Sequence, residues 1–118
     1  MLPLEVRKFL FDIQEACELL AQFTEGKSLD DYVANPLLRS AVERQFEVIG
    51  EAIKQMLEIN PQLSSSISDH QRIISFRNRL IHGYADIAHD VVWGVLESNL
   101  PKLRREVKAL LSPGGKDA

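Results

Sequence analysis

Six side chains with chemical potential fall within one stretch of thirteen residues: Arg72, Arg77, Asn78, Arg79, His82 and Tyr84. Histidine gives and takes protons near neutral pH more readily than any other side chain. Arginine clamps phosphate and stabilises the charge that builds on it during transfer. Asparagine can orient a histidine or bind a phosphate oxygen. No carboxylate–histidine cluster of the metal-holding kind accompanies them. An Arg/His pair in this setting fits metal-independent cleavage of RNA, in which the neighbouring 2′-hydroxyl attacks phosphorus while the protein moves protons and stabilises charge.

The stretch reads as helix, and helical geometry constrains which groups can cooperate. Asn78 and His82 are four residues apart and share a face, with Arg79 flanking the same side. Arg77 lies about 140° from His82 around an ideal helix. A cleft gathers both only if it wraps the helix edge or if a second subunit completes it. Spacing alone leaves the alternative open, since an arginine-rich helix with one histidine is commonly a solvated or salt-bridged surface.

The elements that must position these residues are also helical. From Pro3, suited to a first turn, apolar residues recur at Val6, Leu10, Ile13, Cys17 and Leu20, widened by Phe9, Ala16 and Phe23, until Gly26 ends the run. Ser28 to Asn35 reads as a short helix opened by a Ser28 cap. Pro36 starts a second long helix with Val42, Phe46, Ile49, Ile53, Met56 and Leu57 inward, stopping at Asn60-Pro61. Gly50 sits mid-helix, where glycine costs about 1 kcal/mol against alanine. With Ala52 nearby, the expected compensation is close approach of another helix.

Pro61 to Ser68 reads as a polar connector, after which Ser68 or Asp69 caps a helix to about His82, buried through Ile73, Ile74, Leu80 and Ile81. Gly83 lets the chain turn. Further helices are expected over roughly Ala88 to Ser98 and from Pro101 to near Leu111. No strand alternation or internal repeat is present. The reading is an all-α, up-and-down bundle of about four to five helices, one domain over residues 1–111 with a flexible tail at 112–118.

At 118 residues the chain makes one domain. A chain this short buries only about two thirds of its unfolded surface, so dimerisation would help it. No apolar run approaches the roughly 18 to 20 residues of a membrane span, and the N-terminus carries charges where a signal peptide needs apolar residues. Cys17 is the single cysteine, which excludes an intramolecular disulfide and suits core packing. These features fit a cytoplasmic protein with no membrane partner.

A net charge of −3 argues against a general nucleic-acid coat protein. The charge is uneven, however. Residues 1–60 carry eleven acids against six bases, and residues 61–118 carry six against eight. A local basic site in the second half remains open.

Other residues have plainer readings. Glu43, Glu47 and Glu51 form a stripe at helical spacing, either a solvated face paired with Arg39 and Arg44 or an acidic surface facing the basic site or a partner. Trp93 suits core or dimer packing. His70 and His89 open helices, suit surface capping, and share no ligand spacing with His82, so no metal is assigned. Lys102, Arg104, Arg105 and Lys108 make a basic patch, solvated or able to hold RNA backbone through charge.

The string Arg77-Asn78-Arg79-Leu80-Ile81-His82-Gly83-Tyr84 resembles the R-x4-H-x-Y motif of HepT-like proteins in the HEPN superfamily. The block from Arg39 to Ala52 resembles that family's second-helix signature, and Asp90-Val91-Val92-Trp93 fits as well, so the similarity runs along nearly the whole chain. The resemblance implies the toxin of a two-gene toxin–antitoxin system, acting as an RNA endonuclease without a cofactor. It implies Arg77 and His82 as the catalytic pair with Asn78 in support, and a homodimer that brings two motifs to a shared cleft. Arg72 and Arg79 become candidates for holding RNA. The implied antitoxin is a minimal nucleotidyltransferase that transfers AMP from ATP to Tyr84, adding negative charge and bulk beside the site.

Two other classes stay open: a non-catalytic dimeric partner or substrate-binding subunit of a nucleotidyltransferase, and a structural helical module whose motif stabilises a dimer.

Overall fold

The computed structural model describes residues 2–83 and 87–112. Five α-helices follow in order: α1 (Leu4–Thr24), α2 (Leu29–Ala34), α3 (Pro36–Ile59), α4 (His70–His82) and α5 (His89–Leu111), with a 3-10 turn at Pro61–Ser65 between α3 and α4. Among the described residues there is no strand, in agreement with the all-α expectation.

The apolar stripe of α1 becomes its buried face: Val6, Leu10, Ile13, Ala16, Cys17 and Leu20. Burying each of the larger side chains contributes about 1.5–3 kcal/mol. This face meets α3 on one side and α5 on the other, while α4 packs on the far flank of α3. The molecule measures 45 × 31 × 19 Å, and its thin dimension matches two layers of helices about 10 Å across. Cys17 is fully buried, and that burial pushes its thiol up to about 12. The thiolate needed for redox chemistry is therefore absent at neutral pH.

Local rules fix the helix starts. Ser28 opens α2 through a reciprocal capping box: its hydroxyl accepts from the Asp31 N–H at 3.2 Å, and the Asp31 carboxylate accepts from the Ser28 N–H at 2.9 Å. Tyr32, wholly buried, stacks at 5.5 Å on Trp93 and meets His89 edge-on at 5.9 Å. That cluster ties α2 to the start of α5. His89 thus serves as a packing partner, where the sequence suggested a surface cap, and Trp93 takes the expected packing role.

The connector before α4 is less polar than it reads, because Leu63 and Ile67 are buried. Asp69 occupies the N-cap position with a left-handed backbone, φ 61°, and its side chain makes no capping bond. Its carboxylate accepts from Asn99 and from Lys102, both at 2.9 Å. Ser68 donates its N–H and hydroxyl to Glu106 at 3.1 and 2.5 Å. The start of α4 is therefore anchored on α5, where capping alone was expected.

Two further expectations are corrected. Ile81 is 47 % exposed, and the inner face of α4 is made instead by Ile73 and Phe76, with Ile74 and Leu80 partly buried. The two expected helices around Pro101 are one: α5 runs through the proline. A proline inside a helix costs about 3 kcal/mol or more. Leu96, Leu100, Leu103, Val107 and Leu110 are all buried along this helix. Five such burials at about 1.5–3 kcal/mol each outweigh the proline.

Candidate functional site

All the described motif residues lie on α4, whose placement depends on Gly50. A Cβ built on Gly50 would stand 2.3 Å from the Cβ of Arg77 and 2.6 Å from its Cγ. No pair of non-bonded carbons tolerates such distances, so the two backbones cross this closely only because position 50 lacks a side chain. The close approach expected from a mid-helix glycine is present, and the residue that arrives there is Arg77.

With its stem pressed on α3, the Arg77 guanidinium has few directions to take. Nη2 pairs with the Glu51 carboxylate, and Nη1 donates to Asn78 Oδ1 at 2.7 Å. Nε is buried with no hydrogen-bond partner among the described residues. The Arg77 side chain is 17 % exposed against 39 % for Glu51. Glu51 in turn accepts from Gln55 Nε2 at 2.7 Å. The Gln55 hydrogen bond foremost, and then the charges of Arg77 and Lys54 and the bond to Arg77, hold the Glu51 carboxyl below its ordinary range, against burial, which acts to raise it. Glu51, Gln55 and Arg77 rim a groove of ≈ 320 Å³ between α1, α3 and α4, with Phe9, Asp12, Arg44, Glu47 and Ile81 also on its walls.

Within the acidic stripe of α3, Glu47 lies 3.5 Å from Arg44 on the wall of the same groove, while Glu51 pairs with Arg77. Arg39 donates to the Val33 carbonyl instead of serving the stripe. Spacing could not have shown the Glu51–Arg77 pair, since the two residues are 26 positions apart.

The other flank of α4 carries Arg72 and Arg79, which with Ser75 of α4 and Val91, Gly94 and Ser98 of α5 line a groove of ≈ 480 Å³. The structure therefore brings Arg72 and Arg79 together and sets them apart from Arg77. His82 is exposed at the end of α4. Asn78, about 100° from Arg77 and 40° from His82 around the helix, stands between the two. Gly83, with φ 63°, ends α4 and donates its N–H to Arg79. A third depression, of ≈ 680 Å³, is lined by Glu43, Arg79, Gly83 and His89 among others. Tyr84 lies outside the described residues.

The basic patch of α5 is partly consumed. Lys102 pairs with Asp69 at 2.9 Å, and Arg104 reaches both Glu18 oxygens at 2.8 and 3.0 Å. Arg105 and Lys108 remain on the surface. Among the described residues no group of three or more His, Cys, Asp or Glu could hold a metal ion, and no helix is long and apolar enough to cross a membrane.

A family model described as Ribonuclease HepT-like matches residues 13–110, a span that contains the whole of α4 and the Gly50 crossing. The chain belongs to this family. HepT-like relatives support the placement over nearly full length. A protein of Caldanaerobacter subterraneus named "Putative RNase TTE0752" is 31% identical over 89% of this chain and 93% of its own. One of Methanocaldococcus jannaschii named "Putative RNase MJ1380" is 30% identical over 88% and 94%. "Probable ribonuclease HepT" of Thermococcus cleftensis is 30% identical over 88% of this chain and 94% of its own. No solved structure gives a significant match.

Proposed function

We propose that this HepT-like chain is the toxin of a toxin–antitoxin pair, a metal-independent endoribonuclease silenced when a minimal nucleotidyltransferase antitoxin transfers AMP to Tyr84. The observation that carries the reading is the seating of Arg77. An arginine is driven between two helices onto a glycine, fixed by Asn78, and left at the edge of a groove. The family match and the relatives named as RNases support the same chemistry.

In the proposed reaction the 2′-hydroxyl oxygen of one nucleotide forms a bond to the adjacent phosphorus as the P–O5′ bond breaks. The 2′ proton leaves to a base and the departing 5′ oxygen gains one. His82 serves this proton traffic, Arg77 stabilises charge on the phosphoryl oxygens, and Asn78 fixes the guanidinium. Arg72 and Arg79 hold the RNA backbone in their own groove. A homodimer brings a second motif to the cleft, so that His82 of one copy can work beside Arg77 of the other. In silencing, the Tyr84 oxygen attacks the α-phosphorus of ATP, pyrophosphate leaves, and the attached AMP repels an RNA phosphate.

A second reading draws on the Arg77–Glu51 pair, which is also what a scaffold contact would look like. It makes the chain a non-catalytic partner of a nucleotidyltransferase. His82→Ala separates the two. The side chain is exposed, so the variant is expected to keep its helicity and assembly while RNA cleavage falls by about 10²-fold or more and growth arrest is lost. A folded His82→Ala chain that still arrests growth would sink the catalytic assignment. Intact mass after incubation with ATP, Mg²⁺ and the neighbouring nucleotidyltransferase is expected to rise by whole AMP units, and not to rise in Tyr84→Phe.

A further inference from the structure

We propose that Glu51 is the positioning residue for Arg77: from α3 it fixes the rotation of the guanidinium so that the N–H groups left over face the groove as a preset phosphate clamp. This deepens the nuclease reading and rests on it.

A guanidinium offers five N–H groups in a rigid fork. One of the two on Nη2 goes to Glu51, and one of the two on Nη1 goes to Asn78. Nε–H is buried without a partner among the described residues. Among the described residues one N–H on each terminal nitrogen remains for a phosphate.

Asn78 is the next residue on the same helix, so its bond to Nη1 ties the guanidinium to α4 alone. Glu51 supplies a second point from a different helix, directly after the glycine on which the stem of Arg77 rests. Gln55, one turn further along α3, holds the carboxylate in turn at 2.7 Å. The chain Gln55–Glu51–Arg77–Asn78 thus joins α3 to α4 at their closest crossing. At a partly exposed position such an ion pair adds little stability between the two helices.

Glu51→Gln keeps the size and one acceptor oxygen but loses the charge; Glu51→Ala loses both. The full-length protein is assayed on a single-stranded RNA oligonucleotide of mixed sequence, with circular dichroism and a thermal melt on every variant. The expected order is a fall in kcat of about tenfold for Glu51→Gln and about a hundredfold for Glu51→Ala, the size of effect a misplaced catalytic group produces. KM is expected to change by less than about threefold, since the loss falls on the transition state.

The second readout does not depend on cleavage. With ¹⁵N-labelled arginine and Arg77→Lys for assignment, the Nη resonances of Arg77 are expected to be separately resolved in the wild type and to merge in Glu51→Ala, or in Glu51→Gln if the alanine variant does not fold. Resolved resonances that persist without Glu51, or a variant that folds and keeps kcat within about twofold of wild type, would overturn the proposal. If wild type and Arg77→Ala are equally inactive on RNA, the nuclease reading fails instead. The resonances alone then decide whether Glu51 holds the arginine: merging supports it and persistence overturns it.

Discussion

Asp69 holds a left-handed backbone that L-residues other than glycine, asparagine and aspartate rarely take. Its carboxylate is spent on Lys102 and Asn99 of α5, so one residue both reverses the chain and moors the start of the motif helix. The hydrogen bond from Lys102 comes first in holding its carboxyl below the ordinary aspartate value, with the charges of Lys102 and then the Asn99 bond and Arg72 adding to it. A carboxyl whose pKa is lower folded than unfolded adds stability above its unfolded value and loses it as pH falls through its folded value. Thermal melts between pH 7 and pH 2.5 should therefore show Asp69→Asn less stable than wild type near neutrality, with the gap closing below about pH 4. Asparagine tolerates the left-handed backbone, so Asp69→Ala is expected to melt lower than Asp69→Asn at every pH. A gap that does not close in acid would mean that the carboxylate charge contributes nothing here.

Between elements, the decisive contact is the crossing of α3 and α4 at Gly50. On helix propensity alone Gly50→Ala should stabilise α3 by about 1 kcal/mol. The Cβ distance of 2.3 Å to Arg77 predicts the opposite sign. Overpacking costs about 1–3 kcal/mol and sometimes more, and a clash this close belongs at the upper end, so urea titration is expected to show a net loss of roughly 2 kcal/mol after the propensity gain is set against it. Because the clash is with the Cβ of residue 77 as well as its Cγ, Arg77→Ala should not rescue it. Stability of Gly50→Ala equal to or above wild type would show that the helices can part without cost.

This crossing also marks the limit of what the chain tells about itself. The stripes of α1 and α3 are legible because one-sided burial imposes the helical period on the sequence directly: Val6, Leu10, Ile13 and Leu20 are where that period puts them. Gly50 announced a close neighbour through its local cost. It could not name Arg77, since which helix arrives depends on loop geometry and on burial elsewhere. Glu51 was visible only as one acid in a stripe for the same reason. The residue types of the candidate site and their spread around α4 were legible from helical spacing from Arg77 to His82, whereas what each flank packs against came from tertiary packing.

At the scale of the molecule, Pro101 was read as a boundary because its penalty is local, while the burial that overrides it is spread over the length of α5. The two sides of the proline nevertheless have different neighbours. His89 and Trp93 meet Tyr32 of α2, whereas Arg104 binds Glu18 of α1. Proline has no amide hydrogen, and the carbonyl one turn before it is left without a helical donor. Backbone continuity is therefore weakest where the neighbours change. In deuterium exchange the amides of residues 93–99 and 104–110 should report two opening free energies in separate cooperative units, the first falling when Tyr32 is replaced by alanine and the second unmoved. A single shared rate on both sides would mean that α5 opens as one piece. Two rates would give the end of the helix nearest the motif its own clock, able to loosen and close again while the α1–α5 core stays shut.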